Sequence, residues 1–110
     1  MKPFIMAISE GQALSRREAE DAMHLLMRGE STEVETAAFL LGLRGRGETI
    51  EELTGFTHVM REYAVPVRVN DPNAIDVCGT GGDRSGTFNV STTVAFVCAG
   101  AGVTVAKHGN

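Results

Sequence analysis

Through the first 74 positions, apolar residues recur three and four apart between charged neighbours, the spacing of one-sided helices. Ala19, Ala22, Met23 and Leu26 share one helix face. Val34, Ala37, Ala38 and Leu41 share a second. Ile50, Leu53, Met60 and Tyr63 line a third, with Phe56 close by. Each stretch opens on a hydroxyl residue followed three positions later by glutamate: Ser15 and Glu18, Thr32 and Glu35, Thr49 and Glu52. In that capping box the hydroxyl and the carboxylate each satisfy a backbone N–H left free at the helix start. Gly29 is expected to end the first helix, Gly45 or Gly47 the second, and Pro66 the third. A shorter helix is expected over residues 4–10. Such short helices with broad apolar faces form a thin bundle that needs a further covering surface, either the second part of the chain or a second copy of the protein, and homodimerisation through this part is the expectation carried forward.

The pattern changes near residue 70. Two prolines and an Asn-Asp pair in residues 65–73 forbid a helix and suit an extended linker. Residues 74–78 then read as a strand. A glycine-rich loop follows over 79–86, and next Asn89-Val90-Ser91-Thr92-Thr93 leads into residues 94–99, a helix apolar nearly all round and expected to be buried. Gly100 and Gly102 end it, and residues 103–106 read as a second strand. Strand, loop, helix, strand is the repeating unit of a parallel α/β sheet with a right-handed crossover. The expected class is therefore α/β: a helical bundle domain over residues 1–70, then the first, incomplete unit of a parallel-sheet α/β domain over residues 71–110. Two parallel strands do not make a self-sufficient sheet, so the chain is expected to be a fragment of a longer protein.

Charge and glycine follow the same division. Residues 1–74 carry 8 Lys/Arg and 12 Asp/Glu, whereas residues 75–110 carry only Asp76, Asp83, Arg84 and Lys107 yet seven of the 13 glycines. The net charge of −4 and the lack of a basic patch with interleaved aromatics argue against a nucleic-acid partner. The apolar stretch 94–103 is too short to span a bilayer, and the first eight residues lack the apolar core of a secretory signal. With only two cysteines, Cys78 and Cys98, a reducing, cytoplasmic setting is expected; both are read as inert core thiols. No CxxC or His/Cys spacing suggests zinc. His24 and His58 are read as packing or surface residues on helices.

The candidate chemistry lies at the ends of the two strands. Ligands of open parallel sheets sit beyond the strands' carboxyl ends, where the loop from Gly79 and the segment Lys107-His108-Gly109-Asn110 both begin. Glycines let backbone amides close on an anion, and the helix start at Asn89 aims its N–H groups at the same place. Asn89, Ser91, Thr92 and Thr93 add polar groups, and Lys107 adds a positive charge. This describes a phosphate or pyrophosphate site. It fits neither the Walker pattern, since Thr87-Phe88 follows Gly86, nor the dinucleotide fingerprint, since Arg84 stands where its third glycine belongs.

Taken in order, Gly79-Thr80-Gly81-Gly82-Asp83, Asn89-Val90-Ser91-Thr92-Thr93 and Lys107-His108-Gly109-Asn110 resemble the anthranilate phosphoribosyltransferase family of tryptophan biosynthesis. The resemblance covers essentially the whole chain. It implies a nucleoside phosphorylase/phosphoribosyltransferase-like α/β domain and transfer of the phosphoribosyl group of phosphoribosyl pyrophosphate to anthranilate, with Mg2+ and release of pyrophosphate. It also implies that Gly79, Gly82, Asp83, Thr87, Asn89, Val90, Ser91, Thr92 and Lys107 bind phosphoribosyl pyrophosphate. Ser91 would be a magnesium ligand, and Gly79, His108 and Asn110 would contact anthranilate. Lys107 and Asp83 would bear on catalysis. The family's downstream acidic magnesium ligands and its anthranilate-binding arginine have no counterpart among these residues, so this chain alone is expected to be inactive. The alternatives are a pyrimidine nucleoside phosphorylase and a non-catalytic relative that binds nucleic acid.

Overall fold

The structure, a computed structural model, is described for residues 1–79 and 88–108. It separates into two compact units, Met1–Val65 and Pro66–Asn110. Among the described residues no helix is long and apolar enough to cross a membrane.

The first unit is a four-helix bundle: α1 (Lys2–Ser9), α2 (Arg16–Met27), α3 (Glu33–Arg46) and α4 (Ile50–Glu62). All three capping boxes form. Ser15, Thr32 and Thr49 accept from the backbone N–H of Glu18, Glu35 and Glu52, and each glutamate accepts from its cap residue's N–H in return. The C-terminal signals act one by one. Gly29, at φ 67°, turns the chain just after α2, and Gly47, at φ 87°, caps α3. α4 stops at Glu62, with Tyr63 as its cap, short of Pro66.

The helices pack as two pairs, α2 against α4 and α1 against α3. A glycine sits at each close approach. A Cβ on Gly55 would lie 2.7 Å from the Arg16 carbonyl oxygen and 3.1 Å from Ala19 Cβ; one on Gly42 would lie 2.8 Å from Ile8 Cγ2. These approaches decide which faces are buried. The core is Ile8, Leu14, Ala19, Ala22, Phe39, Leu43 and Phe56, with Met23 and Leu26 packed against it, and Phe39 meets Phe56 edge to face with ring centroids 6.0 Å apart.

Two predicted faces are therefore corrected. Val34 and Leu41 on α3 are exposed, as are Ile50, Leu53 and Met60 on α4, and the inward positions are Phe39 and Leu43, then Gly55, Phe56 and Val59. Apolar residues stand on several sides of both helices, and the side beside the glycine gets closest to its neighbour. The first stretch turns inward as read, through Ala19 and Ala22.

In the second unit the helix α5 (Val90–Gly100) forms with Asn89 as its cap, and Gly102, at φ 86°, turns the chain after it. The predicted strands are corrected. Among the described residues they reduce to one isolated parallel bridge between Ile75 and Val105. There Ile75 N–H donates to the Thr104 carbonyl at 3.0 Å, and Ala106 N–H donates to the Ile75 carbonyl at 2.9 Å. Two lone segments give each other one edge, too little for an extended ladder.

The buried setting expected for α5 is corrected as well. No residue of α5 is fully buried, and Phe96 and Val97 are exposed. Ser91, Ala95 and Cys98, spaced four and three apart, lie half-buried on one face. The unit has a single bridge to lay against that face and nothing among the described residues to cover the others. Cys78 is exposed and Cys98 half-buried, so neither is a core thiol.

Candidate functional site

The bridge sets the geometry of the site. Parallel pairing at Ile75 and Val105 makes both segments run on in the same direction, so residues 76–79 and 106–108 leave side by side. Before the bridge, the Asp71 carboxylate anchors the turn: it accepts from Asn73 N–H at 2.9 Å. The Thr104 hydroxyl first, and then that amide, hold the Asp71 carboxyl below the usual carboxylate range.

Beyond the bridge lies a cleft of about 390 Å³, lined by Asp76, Val77, Cys78 and Gly79 from the first segment and by Val90, Ser91 and Val94 from α5. Asn89 stands at its edge as the helix cap. Its side-chain oxygen accepts from Thr92 N–H at 3.0 Å and from the Ser91 hydroxyl at 3.1 Å. The Thr93 hydroxyl donates to the Asn89 carbonyl at 3.1 Å. The local sequence explains this order: an Asn followed by Ser-Thr-Thr supplies one acceptor and several short donors within a single turn.

Of the residues singled out from sequence, Gly79, Val90 and Ser91 line this cleft together. Asn89 and Thr92 build the helix start beside it. Lys107 is half-buried and is not among the lining residues; its ammonium group donates to the carbonyl oxygen of His108 at 2.9 Å. His108 is exposed, with Nδ1 3.5 Å from the Asp76 carboxylate. Gly82, Asp83, Thr87 and Asn110 lie outside the described residues.

Asp76, not expected at the site from sequence, and Cys78, expected as inert packing, both line the cleft. The signal was present: residues two apart in an extended segment share a face, and this pair directly precedes Gly79. A wider, shallow hollow of about 770 Å³ lies on the helical unit, over Arg16, Ile50, Leu53, His58 and Arg61 among others, and holds none of the candidate residues.

The chain is similar to known proteins along its whole length. Residues 2–64 match the family described as glycosyl transferase family, helical bundle domain, and residues 71–110 match glycosyl transferase family, a/b domain. The chain is 56% identical to the anthranilate phosphoribosyltransferase of Salinibacter ruber (strain DSM 13855 / M31), over 100% of this chain and 32% of that protein. It is 54% identical to the enzyme of the same name from Symbiobacterium thermophilum, over the same shares. The crystal structure of anthranilate phosphoribosyltransferase from Thermus thermophilus superposes with a TM-score of 0.77 at 42% identity, covering 97% of this chain and 32% of that one. The chain thus spans about a third of the length of these relatives.

Proposed function

The chain belongs to the glycosyl transferase family, its helical bundle domain occupying residues 2–64, and on that premise we propose that the protein it forms transfers the phosphoribosyl group of phosphoribosyl pyrophosphate to the amino group of anthranilate in tryptophan biosynthesis. The observation that carries this reading is the cleft shared by Gly79 and the first turn of α5. A glycine without side chain and a helix start together offer backbone N–H groups and a positive dipole end to a pyrophosphate. Asn89 and Thr92 keep that turn formed. Gly82, Asp83 and Thr87 are assigned to the same substrate in this reading.

The chemistry suits such residues. Breaking the bond between ribose and pyrophosphate builds positive charge on the sugar and negative charge on the leaving group. Donors held in place around the leaving group lower that barrier, and no side-chain nucleophile is required. Lys107 is assigned to the leaving group, reached by exchanging its bond to the His108 carbonyl for one to a phosphate oxygen. His108 and Asn110 are assigned with Gly79 to anthranilate.

Ser91 fits a place in the Mg2+ shell. Its hydroxyl donates a hydrogen bond to the Asn89 side-chain oxygen, which leaves oxygen lone pairs for a hard cation whose remaining ligands are phosphate oxygens and water. Bound there, Mg2+ would neutralise charge on the pyrophosphate. The exposed apolar residues of α3 and α4, Val34, Leu41, Ile50, Leu53 and Met60, support homodimerisation through the helical unit.

The test is steady-state formation of phosphoribosyl anthranilate by the protein carrying this chain. Lys107→Ala is expected to lower turnover by about 10²-fold or more, the usual cost of losing one donor to developing negative charge. Near-normal turnover would overturn the assignment.

A further inference from the structure

Asp76, Cys78 and His108 bring a carboxylate oxygen, a thiol sulfur and an imidazole nitrogen within 4.8 Å of one another, and all three side chains are exposed. The backbone register explains the grouping. Asp76 and Cys78 are two apart on one extended segment and so share a face. Cys78 stands three residues beyond Ile75, and His108 stands three beyond its bridge partner Val105. The parallel pairing therefore carries His108 alongside Cys78, although 30 positions separate them in the chain. No local spacing could reveal this.

We propose that these three residues form a binding site for a thiophilic divalent cation of the Zn2+ class. One oxygen, one sulfur and one nitrogen ligand make the mixed donor set that such an ion accepts, with the fourth tetrahedral position left to water or a ligand in the cleft. The distances are close to what is needed. Bonds of roughly 2.0–2.3 Å to a tetrahedral ion place its ligand atoms about 3.3–3.8 Å apart. His108 Nδ1 and Asp76 Oδ2 already stand 3.5 Å apart, and the exposed Cys78 side chain can close the rest by rotating about χ1. The donor set also separates this site from the magnesium assigned to Ser91, because Mg2+ selects oxygen ligands and leaves thiolate and imidazole to softer ions. Asp76 and Cys78 line the cleft, so an ion held here would pin the Gly79 tip to the His108 tip at the cleft's edge. The site rests on the three side chains alone and does not depend on the transferase reading.

Cobalt(II) is a suitable probe, because thiolate ligation gives a near-ultraviolet charge-transfer band. Titration of the protein carrying this chain is expected to produce that band at one equivalent of Co2+, with one equivalent of Zn2+ abolishing it and excess Mg2+ leaving it. Cys78→Ser is expected to lose the band and Cys98→Ser to keep it. Asp76→Asn and His108→Ala are each expected to weaken Zn2+ binding at least about tenfold, the lower end of what even an outer partner of a ligand costs. Absence of the band in the unaltered protein would overturn the proposal, and so would a band that survives Cys78→Ser. The unaltered protein is decisive whether or not a variant folds.

Discussion

Glu52 is the one charged side chain fully buried among the described residues. Its carboxylate accepts from Leu14 N–H at 2.8 Å, from Thr49 N–H at 2.8 Å and from the Thr49 hydroxyl at 2.9 Å, and it pairs with Arg46. Burial pushes its carboxyl up, but the bonds from Arg46, Leu14 and Thr49 together outweigh that and pull it down to about 2. A folded-state value below the ordinary 4.5 means stability that is full above pH 4.5 and is lost as pH falls toward 2. The loss is expected to be about 3 kcal/mol, read from urea unfolding across that range. Glu52→Gln should flatten the acid limb attributable to this group. It should also cost about 3–5 kcal/mol at neutral pH, because it leaves the Arg46 cation without its counter-charge. Arg46 is poorly placed to find another partner: its Nε is already buried with no hydrogen-bond partner among the described residues.

At the scale of the element, the two crossing glycines govern the bundle. Gly55→Ala would set a methyl 2.7 Å from the Arg16 carbonyl oxygen, and backbone cannot yield as a flexible side chain does. The substitution is expected to destabilise the helical unit by about 1–3 kcal/mol, read as a lowered thermal midpoint, despite alanine's better helix propensity. This also shows what was legible in the sequence. The starts of α2, α3 and α4 were readable because a capping box is complete within four residues. The buried faces of α3 and α4 were not, because burial there depends on which side another helix approaches. Periodicity allowed Val34 and Leu41 as well as Phe39 and Leu43, and Gly42 and Gly55 decide between them. In the second unit the start of α5 at Asn89 was readable for the same local reason, while the strands shrank to a single bridge. The cleft was partly legible: Gly79, Val90 and Ser91 came from motif chemistry, whereas Asp76 and Cys78 needed the face-sharing of an extended segment.

For the whole molecule, the exposed apolar positions bear directly on assembly. If α3 and α4 meet a second copy, as proposed, the protein sediments as a dimer at micromolar concentration, and Leu41→Glu together with Ile50→Glu shifts it to monomer without loss of helical signal. A monomer at all concentrations would refute that surface. The helical unit also contains its own internal reporter. One carboxylate on α4 holds the amide that precedes α2 and the guanidinium that ends α3, so it clips the two helix pairs into a single cooperative block. The Leu14 amide proton should therefore exchange with deuterated solvent only through global opening of the bundle, at a rate set by its overall unfolding free energy. Exchange at the pace of a frayed loop would show that the pairs come apart separately.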